Sequence, residues 1–251
     1  MRLVVLMAGD SGVFEVAGHK YPKNLVEIDG EPLVQRVIEG LQPLIERASH
    51  SVFLVREEEN KRHHTDDVIR LLVPDAEVIG VPVLESGAAC TALHAISHID
   101  RDEPLVIFNG DQVLEADLGE ITAGFESAGL DGGTITFDAV HPRWSYVRLG
   151  DDGHVLEAAE KRPISRFATA GTYWYRRGGD FIDGAMAMIR KDASVEGSFY
   201  ICPVFNEMIL RGLSIGTRHI ERDRYFSLSS LHGVNTYEEH LARKRRSLVA
   251  A

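Results

Sequence analysis

The sequence is poor in cysteine and has no long apolar run. The chain of 251 residues holds two cysteines, Cys90 and Cys202, which lie far apart and match no metal-binding spacing. This usage is typical of reduced, buried thiols in a cytoplasmic protein. The N-terminus lacks the apolar stretch of a signal peptide, and no run approaches the length of a transmembrane helix. We therefore expect a cytoplasmic protein with no membrane partner.

Positive charge is also scarce. Lysine and arginine together number 27, against 38 aspartates and glutamates, which gives a formal net charge of −11. A globally acidic surface argues against nucleic acid or an anionic membrane as the main partner. A small anionic substrate would then need a local basic pocket. Residues 19–23, which include His19, Lys20 and Lys23, are a candidate for it.

The first loop lacks the spacings G-x-G-x-x-G and G-x-x-x-x-G-K, which argues against a dehydrogenase and a P-loop enzyme. The loop follows an apolar run at residues 3–7, short enough for a buried strand. Ala8 and Gly9 let a ligand approach the backbone, and Pro22 fixes the chain just before Lys23. These features are compatible with a phosphate cradle. A surface loop with solvated lysines is the alternative, and the spacing leaves it open.

Hydrophobic periodicity predicts an α/β fold with a doubly wound, mainly parallel sheet, because strand-like runs alternate with helical segments in the first half. Strands are expected there at 3–7, 51–55, 77–81 and 104–108, and helices at 32–45, 61–72 and 87–99. The second half predicts a small antiparallel β extension, with strand-like segments at 134–139, 146–149, 155–159 and 169–175, and a later strand at 214–220. Further helices are expected at 180–190, at 203–211 and from about Thr236 onward. Asp151-Asp152-Gly153 predicts a hairpin turn.

Met7-Ala8-Gly9 and the segment YPKNLVEIDGEPL at residues 21–33 resemble the N-terminal signature of the sugar-phosphate nucleotidylyltransferases. Within that family the chain is most similar to the branch tied to capsule and surface-polysaccharide synthesis. The resemblance implies a Rossmann-like fold of GT-A type, a nucleoside triphosphate and a sugar phosphate as partners, Mg²⁺ as cofactor and pyrophosphate as product. It also implies one domain, with a nucleotide part over about 1–130, an acceptor part over about 131–235 and a C-terminal helix at 236–251.

Asp111 follows an apolar strand in the motif FNGDQ at residues 108–112. An aspartate at the carboxyl end of a strand can serve as a Mg²⁺ ligand, although a simple turn aspartate is the alternative. The resemblance implies three catalytic residues, which are Lys23, Asp111 and Lys161. The nucleotide-binding residues that it implies are Met7, Ala8, Gly9, Lys20, Lys23, Gly87, Ala88, Asn109 and Asp111. The acceptor-binding residues are Tyr146, Glu160, Lys161, Gly171 and Tyr200.

Asn235, in the segment GVN at residues 233–235, is implied as a second metal ligand beside Asp111. Thr236 and Glu239 also form a capping box, so the same stretch could simply begin a helix. Tight helix packing at 87–90 and a solvated ion pair at 160–161 are likewise open alternatives to ligand binding.

One departure from the family matters, because Val13 stands where the family has an arginine on the triphosphate. We expect Lys20, with His19, to compensate for the missing charge. Two other functions stay open: a glycosyltransferase on the same fold, and a non-catalytic protein that still binds a sugar nucleotide. The sequence decides neither the base nor the acceptor, and it leaves the oligomeric state open, a homo-oligomer included.

Overall fold

The first strand, β1 (Arg2–Met7), lies inside the main sheet and is covered on both faces. The structure, a computed structural model, describes residues 1–82 and 86–249. Leu3, Val5 and Met7 pack into one apolar cluster, whereas Val4 packs into a second cluster. A strand buried on both faces reads as a continuous apolar run, which is why this segment forms the centre of a doubly wound sheet.

The remaining strands are β2 (Glu27–Ile28), β3 (Glu31–Pro32), β4 (His50–Arg56), β5 (Glu77–Val81), β6 (Leu105–Asn109), β7 (Gln112–Leu114), β8 (Gly132–Asp138), β9 (Ser145–Leu149), β10 (Val155–Glu160), β11 (Phe167–Tyr175), β12 (Ile215–His219) and β13 (Tyr225–Ser227). The helices of the described residues are α1 (Gly12–Val16), α2 (Leu33–Ile45), α3 (Glu57–His63), α4 (Thr65–Leu72), α5 (Ala88–Leu93), α6 (Leu118–Ser127), α7 (Gly178–Arg190), α8 (Val204–Ile209) and α9 (Leu231–Val249). Short 3₁₀ turns cover Lys23–Leu25, Ile96–His98 and Arg222–Arg224.

The main sheet has nine strands over the described residues. β6, β1, β4 and β5 are neighbours in that order and run parallel to one another. β11 joins the other side of β6 in antiparallel orientation, and β8, β12 and the β9–β10 hairpin continue beyond it. The predicted α/β fold with a doubly wound, mainly parallel sheet is confirmed. The antiparallel part, which includes β8 to β11, is larger than the small extension that was predicted.

The hairpin turn between β9 and β10 is also confirmed. The Gly150 N–H donates to the His154 carbonyl at 2.8 Å, and Asp152 Oδ1 accepts from the His154 N–H at 3.0 Å. Asp and Asn side chains favour such turns because they bond to the backbone two residues on.

Three predicted segments of the first half differ from the structure. The helix expected at 61–72 is wrong as one unit, because His64 adopts a left-handed conformation (φ 54°) and separates α3 from α4. Asn60 Oδ1 accepts from the Asp66 N–H at 2.8 Å and satisfies a free donor of the new helix. The helix expected at 87–99 ends at Leu93, and a separate 3₁₀ turn follows at Ile96–His98. The loop after β1 contains the short helix α1, which was not predicted.

The final helix begins at Leu231, five residues before the expected Thr236. Ser230 caps it: its carbonyl accepts from Val234 N–H and its hydroxyl accepts from the Gly233 N–H at 3.3 Å. The Thr236 hydroxyl donates to the His232 carbonyl at 2.8 Å inside the helix, so the predicted capping box is wrong. Residues 250 and 251 of this predicted helix lie outside the described residues. Across the described residues, none of the helices combines the length and the apolarity needed to cross a bilayer.

Candidate active site

Lys23 and Asp111 form an ion pair at the carboxyl edge of the parallel strands. Asp111 follows β6, and Lys23 begins the 3₁₀ turn after Pro22, where its N–H donates to Ser11 Oγ at 3.1 Å. Lys23 Nζ donates to Asp111 Oδ2 at 2.9 Å. The lysine side chain is 4% exposed and the aspartate 29%. A buried ammonium group needs a charged or polar partner, so this contact fixes both side chains.

A cavity of about 480 Å³ opens beside the turn after β1, and we call it the Gly9 cavity. Its lining includes most of the residues that the sequence predicts for nucleotide binding, which are Ala8, Gly9, Gly87, Ala88, Asn109 and Asp111. A Cβ atom on Gly9 would lie 2.7 Å from Lys23 Nζ. Glycine is therefore the residue that lets the buried lysine pass under this turn.

A second cavity, of about 250 Å³, lies next to the first and is called the Gly171 cavity here. β11 bulges between Thr169 and Tyr173, and Gly171 at the bulge has a φ of 53°. A side chain there would be strained, and its Cβ would lie 2.6 Å from Asn109 Nδ2. The bulge therefore presents bare backbone to the cavity.

The two cavities share one wall. Ala88, Asn109, Asp111 and Tyr200 line both of them. Two ligands that fill the cavities would thus meet beside the Asp111 carboxylate, as the carboxyl ends of parallel strands generally allow.

Lys161 is held outside both cavities. Its Nζ donates to Glu196 Oε2 at 2.5 Å and lies 5.4 Å from the ring centroid of Tyr200. The carboxylate of Glu196 and the Tyr200 hydroxyl raise the pKa of Lys161, so it stays charged. The lysine lines a third cavity of about 650 Å³ with Glu160 and Glu196. Both members of the pair are exposed, at 37% and 70%, so the contact can be exchanged at little cost.

Glu160, the last residue of β10, reaches the Gly171 cavity. Burial raises the pKa of its carboxyl group, against the hydrogen bond from the Ser145 hydroxyl and the charge of Lys161. A carboxyl group at the wall of a polar cavity can accept hydrogen bonds from hydroxyl groups. This is the chemistry predicted for it on the acceptor side.

The structure does not bring Tyr146 to either cavity. Successive side chains of a strand face opposite ways. In β9 it is Ser145 that lines the Gly171 cavity, while Tyr146 is fully buried. The Tyr146 hydroxyl donates to the His141 carbonyl at 2.7 Å, so the side chain belongs to the core. The strand thus presents Ser145, and not the predicted Tyr146, to the Gly171 cavity.

Lys20 and Asn235 are also absent from the walls of these cavities. Lys20 is exposed, and its Nζ lies 5.5 Å from the ring centroid of Tyr21. Asn235 is exposed on α9, one turn beyond the Ser230 cap. The sequence placed Asn235 just before a helix that starts near Thr236, whereas the helix begins at Leu231 and includes Asn235. Met7, also predicted to bind the nucleotide, is buried at the end of β1 and lines neither cavity, and its carbonyl accepts from Asn24 Nδ2 at 2.8 Å.

Comparison with known proteins gives the family of this chain. A family model described as the MobA-like NTP transferase domain matches residues 3–173. The chain belongs to this family. The predicted resemblance to nucleotidyltransferases, read from the segments at 7–9 and 21–33, is thereby confirmed. The chain is also 25% identical over 186 residues to UTP–glucose-1-phosphate uridylyltransferase AglF of Haloferax volcanii, covering 70% of this chain and 72% of the relative.

Solved structures of nucleotidyltransferases share the fold. The nucleoside-diphosphate-sugar pyrophosphorylase from Vibrio cholerae RC9 is 22% identical, with a TM-score of 0.81 over 94% of this chain and 99% of that chain. A UDP-glucose pyrophosphorylase complexed with UDP-glucose is 15% identical, with a TM-score of 0.76 over 97% of this chain and 98% of that chain. The mainly parallel sheet with its antiparallel strands is therefore the fold of such enzymes.

NTP transferases of this family generally use a divalent metal, and the surroundings of Asp111 fit one carboxylate ligand. Mg²⁺ keeps several waters and usually takes one or two carboxylates together with phosphate oxygens. A partly exposed carboxylate between two cavities meets that need without a protein cage. Among the described residues, the group of three metal-ligating side chains close enough to share an ion is His64, Asp66 and Asp67, which does not include Asp111.

Sequence reasoning missed Gln112 and Arg56. Gln112 is buried, lines the Gly171 cavity and donates through Nε2 to the Gly171 carbonyl at 3.1 Å. Arg56 ends β4 and lines the Gly9 cavity. Both residues carry a signal in the sequence. Arg56 directly follows the apolar run at 51–55, and Gln112 is part of the motif FNGDQ that contains Asp111. Like Asp111, Arg56 lies at the carboxyl end of a parallel strand, where ligands generally bind.

Glu59 was also missed and lies among the cations of this region. Burial raises the pKa of Glu59, against the Ser11 hydroxyl and the charges of Arg56 and Lys23. Its side chain is 14% exposed. The carboxylates of Glu59 and Asp111 thus offset the positive charges of Arg56 and Lys23 near the Gly9 cavity.

Proposed function

We propose that this protein is a metal-dependent nucleotidylyltransferase that joins a nucleoside triphosphate to a sugar phosphate and releases pyrophosphate. A phosphate oxygen of the acceptor attacks the α-phosphorus, a new P–O bond forms, and the bond to the α,β-bridging oxygen breaks. Pyrophosphate leaves with that electron pair. The observation that supports this reaction best is the position of Asp111, with Lys23 bound to it, at the wall that two adjacent cavities share.

The Gly9 cavity is the proposed nucleotide site. Its small residues, Ala8, Gly9, Gly87 and Ala88, leave room for a planar base and for close approach of the backbone. Lys23 Nζ donates one of its three N–H groups to Asp111, and the other two can donate to phosphate oxygens. A charge fixed before the substrate arrives stabilises negative charge in the transition state without reorganisation.

The Gly171 cavity is the proposed acceptor site. Glu160 accepts hydroxyl hydrogens there, and the bulge at Gly171 lets the sugar lie against the backbone. Lys161 would bind the acceptor's phosphate once it leaves Glu196 for it. Holding that phosphate in line with the α-phosphorus converts a bimolecular step into an oriented one.

Mg²⁺, when bound, would offset the charge of the reacting phosphates, and Asp111 is the residue that would hold it. We infer that the product is a nucleotide-activated sugar for surface polysaccharide, since segments 7–9 and 21–33 are most similar to that branch of the family. Together with the acidic surface, this fits a protein whose partners are small anions and not nucleic acid.

A pyrophosphate-release screen tests the proposal. Each of the common nucleoside triphosphates is incubated with a panel of sugar phosphates and Mg²⁺, and the pair of UTP and glucose 1-phosphate is tried first because the Haloferax volcanii relative bears those substrates in its name. We expect release that needs both substrates and stops when the metal is chelated. Release of nucleoside diphosphate from a sugar nucleotide would indicate a glycosyltransferase, and nucleotide binding without any release would indicate a non-catalytic protein.

A further inference from the structure

Arg56 lies where a nucleotide's phosphates would enter the Gly9 cavity. The register of β1 and β4 sets Met7 opposite Val55, so Arg56 is level with the Ala8-Gly9 turn. The side chain is 21% exposed and lines the cavity. Among the lining residues that the structure describes, it is the one lysine or arginine.

The guanidinium group of Arg56 lies near two carboxylates, but its hydrogen-bond donors are not all satisfied. Arg56 Nη1 lies 3.3 Å from Asp10 Oδ1, and Nε lies 3.8 Å from Glu59 Oε1. Both separations exceed the 2.7–2.9 Å of a short charge-assisted hydrogen bond. Nε is buried and has no hydrogen-bond partner among the described residues. The group therefore keeps donors for a ligand.

The family arginine is missing from the same region. Val13 stands at its position on α1, where it is 54% exposed. Because its side chain is apolar, it supplies neither charge nor hydrogen-bond donors. Lys20, the residue expected to compensate, contacts the Tyr21 ring and does not line the cavity. A triphosphate still needs its charge met by cations and N–H groups.

We propose that Arg56 takes over this role and binds a phosphate of the nucleotide's triphosphate, exchanging Asp10 for it. The inference rests on the proposed function and adds a residue to it. Asp10 is 71% exposed and is a weak partner, whereas a phosphate offers oxygens that fit the planar fork of an arginine. The exchange keeps the charge of Arg56 neutralised before and after binding.

Calorimetry with Mg²⁺ and either tripolyphosphate or a nucleoside triphosphate tests this role, because tripolyphosphate does not require knowledge of the base. The variants are Arg56→Gln, Arg56→Lys, Lys20→Gln and the control Arg62→Gln, an exposed arginine of α3. We expect Arg56→Gln to weaken binding of both ligands about tenfold or more, Arg56→Lys to fall between, and Arg62→Gln to match the wild type. Binding of the nucleoside monophosphate should change little.

A rescue distinguishes phosphate binding from a structural role. Val13→Arg, introduced into the Arg56→Gln variant, should restore most of the lost affinity, whereas an arginine that only holds the Asp10 loop would not be replaced in this way. Unchanged binding by Arg56→Gln, or a loss found in Lys20→Gln instead, would overturn the inference and leave the proposed function intact. A wild-type protein that binds none of these ligands would overturn both.

Discussion

The two lysines of the proposed mechanism lie in opposite environments. Lys23 is 4% exposed and pairs with Asp111, which is itself partly buried, whereas Lys161 is 37% exposed and pairs with Glu196, which is 70% exposed. Lys23 follows a proline, and a backbone hydrogen bond to Ser11 fixes it further. Lys161 sits in a left-handed conformation (φ 52°) just beyond β10.

This contrast divides the site into a preformed half and an adjustable half. A buried ion pair is costly to break because the charge that loses its partner is not solvated by water. An exposed pair can exchange partners at a cost of less than about 1 kcal/mol. On the proposed nucleotide side, Lys23 is therefore already held in place before a ligand binds. On the proposed acceptor side, Lys161 would have to leave Glu196 to reach the acceptor.

The largest expected effect comes from removing the charge of Asp111, which lines both the Gly9 cavity and the Gly171 cavity. Asp111→Asn should lower turnover on the order of 10²-fold or more, because a metal-bound carboxylate in a phosphoryl-type transition state is lost. It should also lower the melting temperature, since Lys23 would keep a buried charge without its partner. Turnover is measured well below that temperature, with circular dichroism as the check on folding. A folded variant with near wild-type turnover would contradict the assignment.

A smaller effect should follow from crowding the preformed half. Gly9→Ala places a Cβ 2.7 Å from Lys23 Nζ and should push the lysine off Asp111. We expect the affinity for the nucleoside triphosphate to fall about tenfold, as when one charge-assisted hydrogen bond is weakened. Gly40→Ala is the matched control, because its Cβ in α2 meets nothing within 4 Å. Equal binding by both variants would show that Lys23 has more freedom than the structure indicates.

The smallest expected effect belongs to the adjustable half. Glu196→Gln removes the partner that holds Lys161 and should lower KM for the acceptor by about two- to threefold, in keeping with the small worth of an exposed pair. Glu157→Gln serves as control, since Glu157 pairs with Arg148 and Arg162 on the same hairpin. An acceptor KM that rises in Glu196→Gln would indicate that Glu196 itself binds the acceptor.

The parallel half of the fold could be predicted because each of its strands is one short apolar run between polar segments. β5 (Glu77–Val81) agrees with the sequence to the residue, β1 is one residue longer than predicted at its start, and β4 is one residue longer at each end. The start of α9 could not be predicted, because both Ser230 and Thr236 are good caps by type. Tertiary contact decides between them: a Cβ on Gly233 would lie 1.9 Å from the Ser227 carbonyl, so the first turn packs tightly on β13.

The candidate site was predictable where its residues follow strands and not where two distant segments meet. Lys23 and Asp111 are 88 positions apart, and their roles were predicted but their contact was not. Glu196 lies 35 positions after Lys161, and no spacing rule links them. Arg56 was not predicted because it lies at the end of β4, a neighbouring strand, whereas the substitute for the missing arginine was expected in the first loop.

The division between the two halves is tested most directly by titrating the nucleoside triphosphate, with Mg²⁺ and without acceptor, into the wild type, Lys23→Ala and Lys161→Ala by calorimetry. Lys23→Ala should bind about tenfold or more weakly, because it loses the preformed charge, and Lys161→Ala should bind like the wild type while turning over more slowly once acceptor is added. An equal loss of triphosphate affinity in the two variants would contradict the account.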